Sequence, residues 1–190
     1  MAVLDFRLGG ELGPDATLTD ASHESADDEE LGAELARKLT ADLAAAGVAV
    51  VEADAVHGTT ALTASGAYDA RLAERVARKV QANLVVLAAL GRYRQREGTA
   101  WAAQTPASVA YQAALVRATD GAVVTIDRFS YTQQALSENL FDLGKYLEAG
   151  GRWLTREEIA DGALRQTAAR LSAAVRGEPA GSKVPEVLRR

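Results

Sequence analysis

The stretch LVVLAALGRYRQR, residues 84–96, organises the rest of the chain. Seven apolar residues, Leu84 to Leu90, run without a polar gap and read as a strongly apolar strand. The extended pattern continues through Arg96. Asn83 breaks the helix expected before it, Tyr68 to about Ala82, in which Leu72, Val76 and Val80 share one face. Downstream, Ser108 to Ala118 alternates, with Val109, Tyr111, Ala113 and Leu115 on one side. Thr119-Asp120-Gly121 is a hairpin signal, and Val123 to Tyr131 is the return strand.

Working back toward the start, Met1 to Phe6 reads as a short buried strand. Residues 8–26 read as a loop containing Gly9, Gly10, Gly13 and Pro14. From Asp27 to about Ala46, leucines at 31, 35, 39 and 43 make a helical stripe, and Gly47 stops it. Asp27, Asp28, Glu29 and Glu30 crowd its first turn, where the helix dipole favours negative charge. Val48 to Val51 is expected to be a second strand. Gln133 to Tyr146 reads as a short helix or irregular segment. Thr155 and Glu158 have capping-box spacing ahead of a helix that runs to about Arg176. The order is β-α-β-α-β-β-β-α: crossovers with parallel pairing first, then a meander. A single α/β domain over residues 1–176, with helices packed on a mixed sheet, and a tail at 177–190 follow from it.

The chain has 190 residues, 48% of them hydrophobic and 25% charged, which suits a globular domain. No apolar stretch approaches the ~20 residues of a membrane span. Its 21 basic and 26 acidic residues leave a net charge of −5, unlike a generic binder of phosphate backbones. There is no cysteine, which removes thiolate chemistry and the usual structural zinc sites. His23 and His57 sit in loop-like stretches without ligand spacing. The Gly-rich run at 8–13 lacks a phosphate-loop lysine, and no serine stands in a nucleophile motif. Residue by residue there is no catalytic signature, and no cofactor or metal is expected.

Arg92, Arg94 and Arg96 recur at period two, so a strand would point all three to one face. They either form an anion-binding stripe or a solvated strand end paired with neighbouring carboxylates; the negative net charge weighs toward the second. Trp101 and Trp153 flank loop-like regions and either pack on the sheet edge or meet a partner. The run Asp127 to Gln134 is rich in hydrogen-bonding groups. It fixes the corner between strand and helix or serves as a contact surface.

The ordered series MAVLDF, LGAELARKLTADLAAAGV, VAVVEAD and ARLAERVARKVQANLVVLAAL resembles bacterial envelope domains of the CsgG, LpoB and TolB N-terminal type. The later run from GRYRQREGTAWAAQ through GGRWLTREEIADGAL is similar to a group of uncharacterised proteobacterial lipoproteins of that architecture. The resemblance spans about residues 1–176. It implies an anticodon-binding-like fold and a non-enzymatic, periplasmic accessory protein anchored at the outer membrane. Such a domain acts through contacts with another envelope protein or with itself, in secretion, envelope assembly or peptidoglycan synthesis. No nucleic acid is expected as partner. These 190 residues hold no lipobox cysteine, so membrane contact is expected only through a lipid anchor absent from this chain. The candidate partner-binding residues are Arg92, Arg94, Arg96 and Trp101. The competing expectation is a cytosolic nucleic-acid or nucleotide-binding module using the same arginines.

Overall fold

The structure is a computed structural model; it describes residues 1–9, 11–12, 18–19, 26–57, 70–99, 103–133 and 153–178. In chain order the strands are β1 (Ala2–Val3), β2 (Arg7–Leu8), β3 (Glu11–Leu12), β4 (Leu18–Thr19), β5 (Leu84–Arg94), β6 (Glu97–Gly98), β7 (Ala103–Thr105), β8 (Ser108–Arg117) and β9 (Val123–Thr132). The helices are α1 (Ala26–Ala45), α2 (Ala53–Val56), α3 (Ala70–Val80) and α4 (Arg156–Val175).

The apolar run in β5 is explained by its position. It lies inside the main sheet, between the short strands β1 and β2 on one side and β8 on the other. β1 and β2 pair with it in parallel, Ala2 opposite Val85 and Arg7 opposite Ala89. β8 and then β9 follow antiparallel. Both faces of β5 are covered, so nothing polar fits between Val85 and Leu90, and all six residues there are buried.

Side-chain alternation sorts the core into two layers. Val86, Ala88 and Leu90 meet Leu35, Leu39 and Leu43 of α1 and Ile159, Leu164 and Leu171 of α4. Val85, Leu87 and Ala89 meet Val56 of α2 and Ala73, Val76 and Ala77 of α3. The domain is therefore a mixed sheet with helices on both faces.

Local signals explain most boundaries. Gly47 ends α1 with φ at +82°, and Val48 N donates to Leu43 O at 3.0 Å. Gln81, not Asn83, ends α3: it takes the left-handed conformation at φ +54°, and Ala82 N returns to Ala77 O. The capping box is formed, Thr155 accepting from Glu158 N and Glu158 accepting from Thr155 N. At the β8–β9 hairpin Gly121 supplies φ +69°, and Asp120 accepts from both Ala122 N and Arg117.

Further expectations are corrected. The stretch 8–26, read as a loop, carries the β3–β4 ribbon, Glu11 opposite Thr19 and Leu12 opposite Leu18. Val48–Val51 forms no ladder strand. It runs beside Met1, whose ammonium donates to Ala49 O at 2.7 Å and whose carbonyl accepts from Val51 N at 2.8 Å. β1 is only two residues long and offers no edge for a longer ladder. The long strand ends at Arg94, not Arg96: Gln95 there bonds Glu157 and Arg156 N of α4, and Arg96 bonds the Trp153 carbonyl. The segment 134–146, the Gly150-Gly151 turn and most of the tail lie outside the described residues.

Candidate functional site

The arginines of β5 owe their direction to one irregularity. Leu90 pairs with Tyr111, but Arg92 pairs with Ala110, so Gly91 is an extra residue in β5. Were Gly91 an ordinary paired member of the ladder, strict alternation would send Arg92 and Arg94 to the face of Leu90, beneath α1 and α4. With Gly91 outside the ladder, Tyr93 takes that place and packs on the α1–α4 core, while Arg92 and Arg94 turn to the opposite face.

That face is only partly covered. Its buried apolar residues on β5 and β8 stop at Ala89 and Ala114. Beyond them the sheet register sets out three rows. Arg7, Ala89, Gln112 and Arg128 form the first, Arg92, Ala110 and Ser130 the second, and Arg94, Ser108 and Thr132 the third. The β3–β4 ribbon passes close to β5 and β8. Arg92 donates from Nη2 to Ser130 Oγ at 3.1 Å. Arg94 and Arg128 are exposed and take no ion-pair partner among the described residues. A groove of about 240 Å³ lies beside Arg128, floored by Ala89, Gly91 and Ala110 and walled by Gln112, Arg128 and Ser130, with Tyr111 and Phe129 also in its lining.

Arg96 does not join this face. Its guanidinium donates to the Trp153 carbonyl at 2.6 Å. Gln95 bonds Glu157 at 3.0 Å, and Arg156 stacks over the Tyr93 ring, 4.6 Å from its centre. Burial works against charge on Glu157, but bonds from Arg156 and Gln95 outweigh it and hold its carboxyl below the ordinary value. Trp153 is buried. Trp101 and His23 lie outside the described residues. The expected stripe is thus split: Arg92 and Arg94 stand together, and Arg96 fastens the strand end to Trp153, just ahead of α4.

Sequence reasoning missed Arg7 and Arg128 as neighbours of Arg92. Arg128 reaches the face through two antiparallel ladders, whose register no local pattern reveals. The run from Asp127 divides by alternation. Arg128 and Ser130 face outward, whereas Asp127 accepts from Thr167 and Arg170 of α4. Since the Thr167 hydroxyl donates to Asp127, the Tyr111 hydroxyl must donate to Thr167, at 2.8 Å. Burial pushes the Tyr111 phenol above its usual pKa. Gln133 turns the corner, accepting from Leu154 N at 2.8 Å.

His57 pairs with Asp5 at 2.8 Å, its own ring half exposed. Among the described residues no three His, Asp or Glu side chains stand close enough to hold a metal ion. No helix among them is long and apolar enough to cross a membrane.

No protein-family model and no curated protein matches the chain. Solved structures do. Lipoprotein GNA1162 from Neisseria meningitidis is 18% identical, with 78% of this chain and 93% of that one covered and a TM-score of 0.44. Protein XCC0632 from Xanthomonas campestris, of family-model DUF330, is 12% identical, with 93% and 83% covered and a TM-score of 0.43. A PelC dodecamer from Paraburkholderia phytofirmans is 20% identical, with 72% and 75% covered and a TM-score of 0.41. At these values the likeness is general and assigns this chain neither ligand nor activity. A kinship with CsgG, LpoB or TolB in particular is not shown. The chain is similar to solved structures that include a bacterial lipoprotein, and that similarity is one of broad architecture.

Proposed function

We propose that this chain is a non-enzymatic accessory domain of the bacterial envelope that works by holding a partner protein. The observation that carries the contact reading is the arginine-bearing sheet face, with Arg92 braced by Ser130 and Arg94 and Arg128 exposed. Exposed arginines on a rigid sheet are suited to partner recognition, because little ordering of the backbone is left to be done on binding. The periplasmic setting and the outer-membrane lipid anchor are implied by the resemblance across residues 1–176.

Two experiments test this. Cells expressing the complete native reading frame are fractionated, and the protein's N-terminus is read by mass spectrometry. An acylated N-terminal cysteine in the membrane fraction supports the envelope reading; an unmodified protein in the cytosol overturns it. Crosslinked capture is then compared between the wild type and Arg94→Glu with Arg128→Glu. Loss of the captured partner is expected, and unchanged capture removes this face. The rival cytosolic nucleic-acid module would bind oligonucleotides with affinity falling steeply as salt rises. The described residues of the arginine face include no aromatic side chain on which bases could stack.

A further inference from the structure

The chemistry of the arginine face also says what kind of partner it suits. This step rests on the contact reading above and deepens it. The chain as a whole is acidic, with a net charge of −5, yet Arg92, Arg94 and Arg128 stand on one sheet face and Arg7 lies in the same rows. Three arginines gathered on one face of an acidic chain favour an anionic partner there and help set its docking orientation.

Three features narrow the anion. First, the tyrosines and phenylalanines of the strands, Tyr93, Tyr111, Phe129 and Tyr131, all pack on the other side with the α1–α4 core. A ring-bearing ligand would find no platform here, so charge and hydrogen bonding must do the recognition. Second, the groove floor at Ala89, Gly91 and Ala110 is small, so a narrow chain can settle beside Gln112 and Arg128 and run on to the rows of Arg92 and Arg94. Third, Arg92 and Arg94 are two residues apart on an extended strand, so their stems repeat at about 6.8 Å. Carboxylates at alternate positions of an extended peptide repeat at the same spacing. Each can meet a guanidinium fork with two parallel hydrogen bonds. Gln112 and the Ser130 and Thr132 hydroxyls supply polar groups on the same face.

We infer that the exposed end of the sheet is a clamp for an extended acidic segment of a partner protein, gripped by Arg92, Arg94 and Arg128. Gly91, by standing outside the ladder, leaves the two β5 arginines facing outward.

The test is fluorescence anisotropy with the whole chain and a labelled peptide of alternating glutamate and serine, about a dozen residues long, at about 20 mM salt. The same peptide with glutamine for glutamate, and a single-stranded oligonucleotide of equal charge, are the comparisons. Binding of the glutamate peptide is expected, at least about tenfold tighter than either comparison. Arg92→Glu with Arg94→Glu and Arg128→Glu should abolish it. Arg94→Gln with Arg128→Gln changes only exposed side chains and should weaken it at least about tenfold with the melting temperature unchanged. No binding of the glutamate peptide, equal binding of the oligonucleotide, or undiminished binding by the glutamine double variant each overturns the clamp. Those results leave the wider contact reading to the capture experiment, which fails independently if Arg94 and Arg128 do not affect partner recovery.

Discussion

Gly32 lets one methyl group test how α1 sits on the sheet. It is the seventh residue of a 20-residue helix, and Gly162 is the seventh residue of another, α4. In an unencumbered helix interior, Gly→Ala stabilises by about 0.5–1 kcal/mol. At Gly162 an added Cβ meets nothing within 4 Å, so that gain should appear in full. At Gly32 the added Cβ would collide with the carbonyl oxygen of Phe6, and Phe6 N already donates to Gly32 O at 3.1 Å. Phe6 is fully buried, so the backbone there cannot swing away cheaply. Overpacking costs about 1–3 kcal/mol and a lost hydrogen bond about 1 more. After subtracting the helix gain, Gly32→Ala should destabilise by about 1–3 kcal/mol. For a chain of this size that lowers the melting temperature by about 2–12 °C, whereas Gly162→Ala raises it by about 1–4 °C. Thermal melts followed by circular dichroism, with urea titrations beside them, decide the matter. A Gly32→Ala protein that melts at or above the wild type would refute the close approach of α1 to Phe6.

Further expectations follow from the polar links between α4 and the sheet. Asp127→Ala removes the acceptor shared by Thr167 and Arg170 and should cost about 2–4 kcal/mol in urea unfolding; a loss below about 0.5 kcal/mol would dismiss the network as a stabiliser. The raised pKa of Tyr111 makes its contribution fully present below the unfolded tyrosine value of about 10 and progressively lost as pH rises above it. Tyr111→Phe should therefore flatten the alkaline fall in urea midpoint between about pH 9 and pH 11 relative to the wild type; parallel curves would contradict this. Thr155→Ala opens the capping box and should cost about 1 kcal/mol, read as a fall of about 2–4 °C in melting temperature.

What could be read from the chain alone was whatever has a short-range cause. The capping box, the Asp120-Gly121 turn, the stop at Gly47 and the Leu35, Leu39 and Leu43 stripe depend on residues within a few positions of one another. The run Leu84–Leu90 was legible as a strand from its unbroken apolar character, while its burial on both faces came from its place between β1, β2 and β8. The site was harder because its members come from different strands. Arg92 meets Ser130 across 38 residues, and Tyr111 meets Thr167 across 56. Such pairs are set by ladder register, which hydrophobic alternation constrains but does not number. Reading Arg96 as a third member of the stripe assumed an unbroken strand. The bond to the Trp153 carbonyl and the end of β5 at Arg94 could not be inferred from a period of two. The Val48–Val51 reading failed for a related reason: an apolar β-rich run needs an edge to pair with, and the two-residue β1 supplies almost none.

The extra residue at Gly91 divides β5 into two segments of opposite phase. Upstream, every position answers to packing; downstream, one set of positions faces the α1–α4 core and the other faces outward. Replacement and removal at this point therefore share one outcome for the arginines. A Cβ at Gly91 would meet only Ala110 O, at 3.8 Å, so an alanine there is sterically admissible. Deleting the residue would remove the bulge and still leave Leu90 opposite Tyr111 and Arg92 opposite Ala110, so Arg92 and Arg94 would stay outward and Tyr93, with its Arg156 stack, inward. Drawing Gly91 into the ladder as an ordinary paired residue would instead exchange the chemistry of two surfaces without altering any arginine. In this strand the number of paired residues, more than the identity of residue 91, decides what each surface presents.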